Sequence, residues 1–229
     1  MDKQEIEIGF LLYYDEYLLF HHIENAFSKY RILESLNELD DKGIRALNLS
    51  PFFWGQVFDA LNTDVIISTS RIYDVNRFLR PRSEINIFKF MRFVKHHFNI
   101  LFSKENIWKR NNIQTEKNWE SRAIPIINFR ELEEDLHTLE QNKEKILTLL
   151  FYRDKSYAHS DRSFALNKTE IHKNRIIKNR EIESLIKLAY DLMRKYRLAF
   201  DGTKYAFPAA NLNDFQNTLE MISPNMYRN

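Results

Sequence analysis

From Trp54 onward the apolar residues Trp54, Phe58, Leu61, Val65, Ile72, Val75 and Leu79 are spaced by whole helical turns, mostly three or four residues apart. That spacing puts them on one face of an α-helix and does not fit the two-residue alternation of a strand. The punctuation agrees. Ser50 is a good N-cap, and Pro51 suits the first helical position, where its missing N–H is of no consequence. Pro81 pushes the residue before it out of the helical region and stops the run. Four further stretches show the same period. One runs from Lys3 to Leu39 with Tyr13, Tyr17, Phe20, Phe27, Tyr30 and Leu33 among its apolar positions, and Gly43 marks the break after it. Another, Ser83 to Leu101, is apolar on most sides, which predicts a central position. A fourth begins near Asn128 and carries Leu132, Leu136, Leu139, Ile146 and Leu150. The last, Arg180 to Phe200, shows Ile182, Leu185, Ala189, Leu192 and Tyr196, and Asp201-Gly202 closes it as a C-terminal glycine cap. Ser103 to Pro125 and Ser160 to Asn179 are polar connections, and an irregular tail starts near 203. With only 4 glycines among 229 residues, the tight hairpins of a many-stranded fold lack their turn residue. The expected fold is all-α: a single antiparallel helical bundle of five main helices over residues 1–229.

Several function classes drop out. The chain has no cysteine, which removes disulfides, thiolate zinc sites and cysteine nucleophiles together. The longest apolar stretch, Gly9 to Phe20, is interrupted by Asp15 and Glu16 and is too short for a membrane span. A cytoplasmic protein with no membrane partner is expected. His21-His22 and His96-His97 are adjacent pairs whose rings point about 100° apart on a helix, so no metal site and no cofactor are expected. Ser156 and Ser160 lack a nucleophile elbow, and there is no glycine-rich phosphate loop. Arg71 and Asp74 are spaced as an intrahelical ion pair. The net charge is +2. From Lys155 to Lys204, twelve Lys or Arg stand against six Asp or Glu. A bias this mild is ordinary for a solvated helix face, and it also suits a phosphate backbone.

The stripe on the fourth helix leads to an anomaly. Extended by its own period, Leu132, Leu136, Leu139, Ile146 and Leu150 arrive at Arg153 and Tyr157. An arginine aimed at an inner face is costly unless its charge is matched. It can pair with a buried carboxylate, snorkel to water where the helix leaves the core, or face a cleft that receives an anion. A salt bridge to Asp154 or to a distant carboxylate is the purely structural account. The local string is Arg153-Asp154-Lys155-Ser156-Tyr157-Ala158-His159-Ser160-Asp161. His159 lies six residues beyond Arg153, about 120° around a regular helix. Either the helix ends near Ser156, or the two side chains meet across a two-fold axis between copies.

Arg153 and His159, with five residues between them, match the R-x4–6-H signature of HEPN proteins. The string R-D-K-x-x-A-H-x-D, together with Phe53-Trp54, Asp59-Ala60-Leu61 and Arg71-Ile72-Tyr73-Asp74 upstream, resembles the AbiU-like abortive-infection branch of that superfamily over Phe52 to Tyr196. The resemblance implies a helical-bundle homodimer whose two motifs line a shared cleft, and a metal-independent endoribonuclease of phage defence. In that reading His159 is the general base or acid and Arg153 clamps the phosphate. Asp154 orients one of them, and Asp161 is a second orienting candidate. Lys155 and Arg162 hold flanking phosphates, and Tyr157 stacks a base. The partner is RNA, because DNA lacks the attacking 2′-OH. Some HEPN toxins carry a tyrosine two residues after the histidine, where a partner enzyme modifies them. Asp161 stands there in this chain, so that partnership is not carried over, and a neutralising protein partner is left open. The alternative is a non-catalytic HEPN-like bundle that binds a partner protein or a nucleotide. A plain helical interaction module would instead keep Arg153 bonded to a buried carboxylate.

Overall fold

The structure is a computed structural model that describes residues 1–15, 19–74, 85–154 and 177–205, with 214, 217, 218 and 221 as isolated positions. Among the described residues every regular element is helical: α1 Lys3–Leu11, α2 Leu19–Asn37, α3 Asp41–Leu47, α4 Pro51–Tyr73, α5 Ile87–His96, α6 Phe98–Phe102, α7 Lys104–Arg110, α8 Glu116–Arg122, α9 Phe129–Gln141, α10 Lys143–Arg153 and α11 Asn179–Asp201. A 3-10 turn, Leu12–Tyr14, follows α1. The all-α expectation holds, but five main helices understates the number.

The extra helices come from breaks that an apolar period does not show. The expected single helix Lys3–Leu39 is interrupted after Leu11. The turn there lets Phe10 and Tyr14 enter the core together, with Phe10 stacked on Phe200 at 4.4 Å and the Tyr14 hydroxyl donating to the Met193 carbonyl at 2.7 Å. Gly43 does not mark the break. It lies buried inside α3, which starts where the Asp40 side chain accepts from the Gly43 N–H. His97 parts α5 from α6, and Asn142 parts α9 from α10, each as a shared cap residue. Ser103 to Pro125, expected as a bare connection, holds α7 and α8. Ser103 and Thr115 cap these two helices, and Ile107, Ile113, Trp119 and Ile124 bury themselves in a small core of their own.

The main core lies between α2, α4, α10 and α11, with α1, α5 and α6 closing one side. Tyr30 of α2 meets Glu183 of α11, while Phe20 of α2 meets Tyr190, so these two helices run antiparallel. The core is rich in tyrosine, and each buried hydroxyl needs a partner to offset its lost water. Tyr73 donates to the Leu185 carbonyl at 2.6 Å, Tyr190 to that of Tyr205 at 2.9 Å, and Tyr196 to the Asp135 carboxylate at 2.8 Å. On α4 the apolar stripe is buried only from Val65 onward. Trp54, Phe58 and Leu61 are half-buried, and Phe52 and Phe53 are exposed, because the stripe continues past the point where the rest of the bundle covers the helix.

At the end of α11, Gly202 has φ +75° and serves as the glycine cap expected from the sequence. A Cβ added there would stand 3.0 Å from two side-chain carbons of Ile124. Gly202→Ala is therefore expected to destabilise the fold by about 1–2 kcal/mol, from left-handed backbone strain plus the Ile124 contact. Urea unfolding with an unchanged slope checks this.

Candidate functional site

The expected site residues divide into two groups. Arg153 and Asp154 belong to the described structure. Lys155, Tyr157, His159, Asp161 and Arg162 lie outside the described residues. What can be built from the structure is the arginine end of the motif.

Arg153 is the last residue of α10, and Asp154 is its C-cap, with an N–H that donates to the Leu150 and Phe151 carbonyls. Its side chain is 17% exposed and meets two carboxylates. Nε donates to Oδ1 of Asp154 at 2.8 Å, and Nη2 stands 2.7 Å from the same oxygen. Nη1 donates to Oδ2 of Asp74 at 2.6 Å, across a sequence separation of 79 residues. Burial by itself disfavours the guanidinium. The hydrogen bonds and charges of Asp74 and Asp154 outweigh that effect and leave its pKa above the ordinary arginine value. Arg153 is a fixed cation at any attainable pH.

The spacing in the sequence pairs Asp74 with Arg71. The structure corrects this: its carboxylate goes to Arg153, and only its backbone N–H turns back, to the Arg71 carbonyl at 3.5 Å. The sequence shows an offset of three on one helix; it does not show that the C-terminal ends of α4 and α10 meet. Asp74 is the C-cap of α4. A carboxylate there faces the negative pole of the helix, a placement unfavourable by about 0.3–1 kcal/mol. Arg153, at the corresponding end of α10, has the favourable sign for both helices.

Arg110 shows what a fully consumed arginine looks like in this chain. Its side chain is 12% exposed. Nε and Nη2 both donate to Glu7 Oε1, Nη1 donates to the carbonyls of Leu101 and Phe200, and the guanidinium carbon lies 3.6 Å from the centroid of the Phe200 ring. Four of its five N–H donors and one of its faces are occupied. At Arg153, among the described residues, three donors are engaged through Nε, Nη1 and Nη2, which leaves one on each terminal nitrogen. Two such donors are what a phosphate oxygen pair accepts from an arginine. The group can position an anion; being always charged, it cannot itself carry a proton.

With this geometry in view, comparison with known families decides the relationship. The AbiU2 family of HEPN proteins has a model that matches residues 8–220. The chain belongs to that family. The match covers α2 through α11, so the bundle, Asp74 and the whole Arg153–His159 string lie inside it. No curated protein and no solved structure gave a significant match. Membership points to a HEPN-type role in abortive infection, in a family whose members often work as dimers. Among the described residues, no helix is long and apolar enough to cross a membrane.

Removing Arg153 leaves two carboxylates facing one another in a half-buried site. Arg153→Ala is expected to lower stability by about 2 kcal/mol. Asp154→Ala, at a half-exposed carboxylate, is expected to change it by less than about 1 kcal/mol. Chemical denaturation of the two variants beside the parent protein checks the order.

Proposed function

We propose that this AbiU2-family protein is a metal-independent RNA endonuclease of phage defence. The observation that carries the proposal is the state of Arg153: a mostly buried cation at the end of α10, braced by Asp74 and Asp154, with two N–H donors unengaged among the described residues. It opens the R-x5-H string of a chain that belongs to a HEPN family.

The chemistry needs two things. A ribose 2′-OH attacks the adjacent phosphorus while its proton passes to a base. The bond from phosphorus to the 5′-oxygen then breaks, and that oxygen takes up a proton. His159 has the side chain whose ordinary pKa suits either transfer near neutrality, and a homodimer supplies two of them. The developing negative charge on the phosphorane is met by the Arg153 guanidinium. Lys155 and Arg162 hold neighbouring phosphates, Tyr157 stacks a base, and Asp161 orients His159. The products are a 2′,3′-cyclic phosphate and a 5′-hydroxyl.

One observation favours a second reading. Two carboxylates against one guanidinium leave the described cluster with a formal charge of minus one, which by itself repels a phosphate. A non-catalytic bundle that binds a partner protein, with the motif serving as a structural clamp, accounts for that charge.

The two readings separate in one assay. Purified parent protein and His159→Ala are incubated with cellular RNA in the presence of EDTA. The nuclease reading expects cutting by the parent, cyclic-phosphate ends, and a loss of about a hundredfold or more in the variant. No cutting by the parent protein decides for the second reading, and undiminished cutting by His159→Ala overturns the proposed mechanism.

A further inference from the structure

Asp74 lies outside the R-x5-H string, yet its attachment to the scaffold is the firmest in the cluster. The residue before it, Tyr73, is fully buried, and its hydroxyl is bonded to the Leu185 carbonyl of α11. The Asp74 carbonyl accepts from Asn86 Nδ2 at 2.6 Å. Asn86 is 3% exposed, and its Oδ1 in turn caps α5 by accepting from the Lys89 N–H at 2.9 Å. Three helices therefore fix the backbone that carries this carboxylate: α4 by continuity, α11 through Tyr73 and α5 through Asn86. Asp154 offers no comparable support. It is the next residue after Arg153 and moves with it, so it can restrain the rotamer but not the location of the guanidinium.

We infer that Asp74 is the positioning residue of the RNA site. By accepting from Nη1 it ties the Arg153 guanidinium to the α4–α5–α11 scaffold and, among the described residues, leaves one donor on each terminal nitrogen for the phosphate. This rests on the nuclease reading above. The opposing view is that Asp74 merely repels the substrate and holds the site shut. The two views differ in sign. A positioning carboxylate slows the reaction when it is lost, whereas a repelling one speeds it.

The test uses the full chain and a short single-stranded RNA in EDTA, with parent protein, Asp74→Asn, Asp74→Glu, His159→Ala and, as a control carboxylate on the same helix, Asp64→Asn. Asp64 pairs with Lys29 on α2 and lies about 15 Å before Asp74 along α4. Asp74→Asn is expected to lower kcat by about tenfold to a hundredfold with KM nearly unchanged. Asp74→Glu is expected to recover part of that loss, and Asp64→Asn to leave kcat as it was. The Arg153 Nη1–H resonances report on the Asp74 contact whether or not RNA is cut, and their exchange with water is expected to quicken several-fold in Asp74→Asn. A kcat in Asp74→Asn equal to or above the parent's, or an Nη1–H exchange rate that does not change, overturns the inference. Parent activity that does not depend on His159 overturns the nuclease reading instead, with the exchange measurement still deciding whether Asp74 holds Arg153.

Discussion

A guanidinium withdrawn from water has to find its counter-charge within the protein, and in this bundle that requirement joins helices distant in sequence. Arg110 binds α7 to α1 through Glu7 and closes over the carbonyl ends of α6 and α11. Arg153 does the same for α10 and α4 through Asp74. Each pair is partly shielded from water, and removing either arginine leaves a part-buried carboxylate unmatched. The helix ends are thereby held in register around a core whose tyrosine hydroxyls also reach across from one helix to another.

The difference between the two arginines carries the functional argument. A guanidinium with four donors filled and an aromatic ring across its face is a structural bolt. One with two donors unengaged among the described residues, at the end of a helix, has hydrogen-bonding capacity for an anion. The negative balance of the described cluster then bears on its partners. Lys155, His159 and Arg162 follow it in the chain, and on the proposed nuclease reading their charge offsets Asp74 and Asp154 before a phosphate.

Much of the fold was legible because its signals are local. Pro51 at the first helical position announces α4, although the Ser50 side chain makes no capping bond there; Asn128 opens α9, and Asp201-Gly202 ends α11. The stripe through Leu132, Leu139, Ile146 and Leu150 led to Arg153, whose side chain is indeed mostly withdrawn from water. The failures share a cause. The breaks at His97 and Asn142 fall between stretches whose apolar period runs on undisturbed, so periodicity reads straight through them. The helices α7 and α8 are too short for a periodic signal, although the caps Ser103 and Thr115 were there to be read. The partner of Asp74 is set by tertiary contact over 79 residues, and a single sequence offered Arg71, one turn away, as the nearer choice.

The placement of Asp74 at the carbonyl end of α4 ties its history to that of Arg153. On its own, an acid there opposes the helix that bears it, and an arginine alone would lack its long-range counter-ion. Drift at either position first passes through a less stable intermediate, so the two are under pressure to be kept, lost or exchanged together. Lineages that abandon the arginine should therefore also relinquish the acid 79 residues upstream, a correlated signature that no inspection of the R-x5-H string alone would disclose.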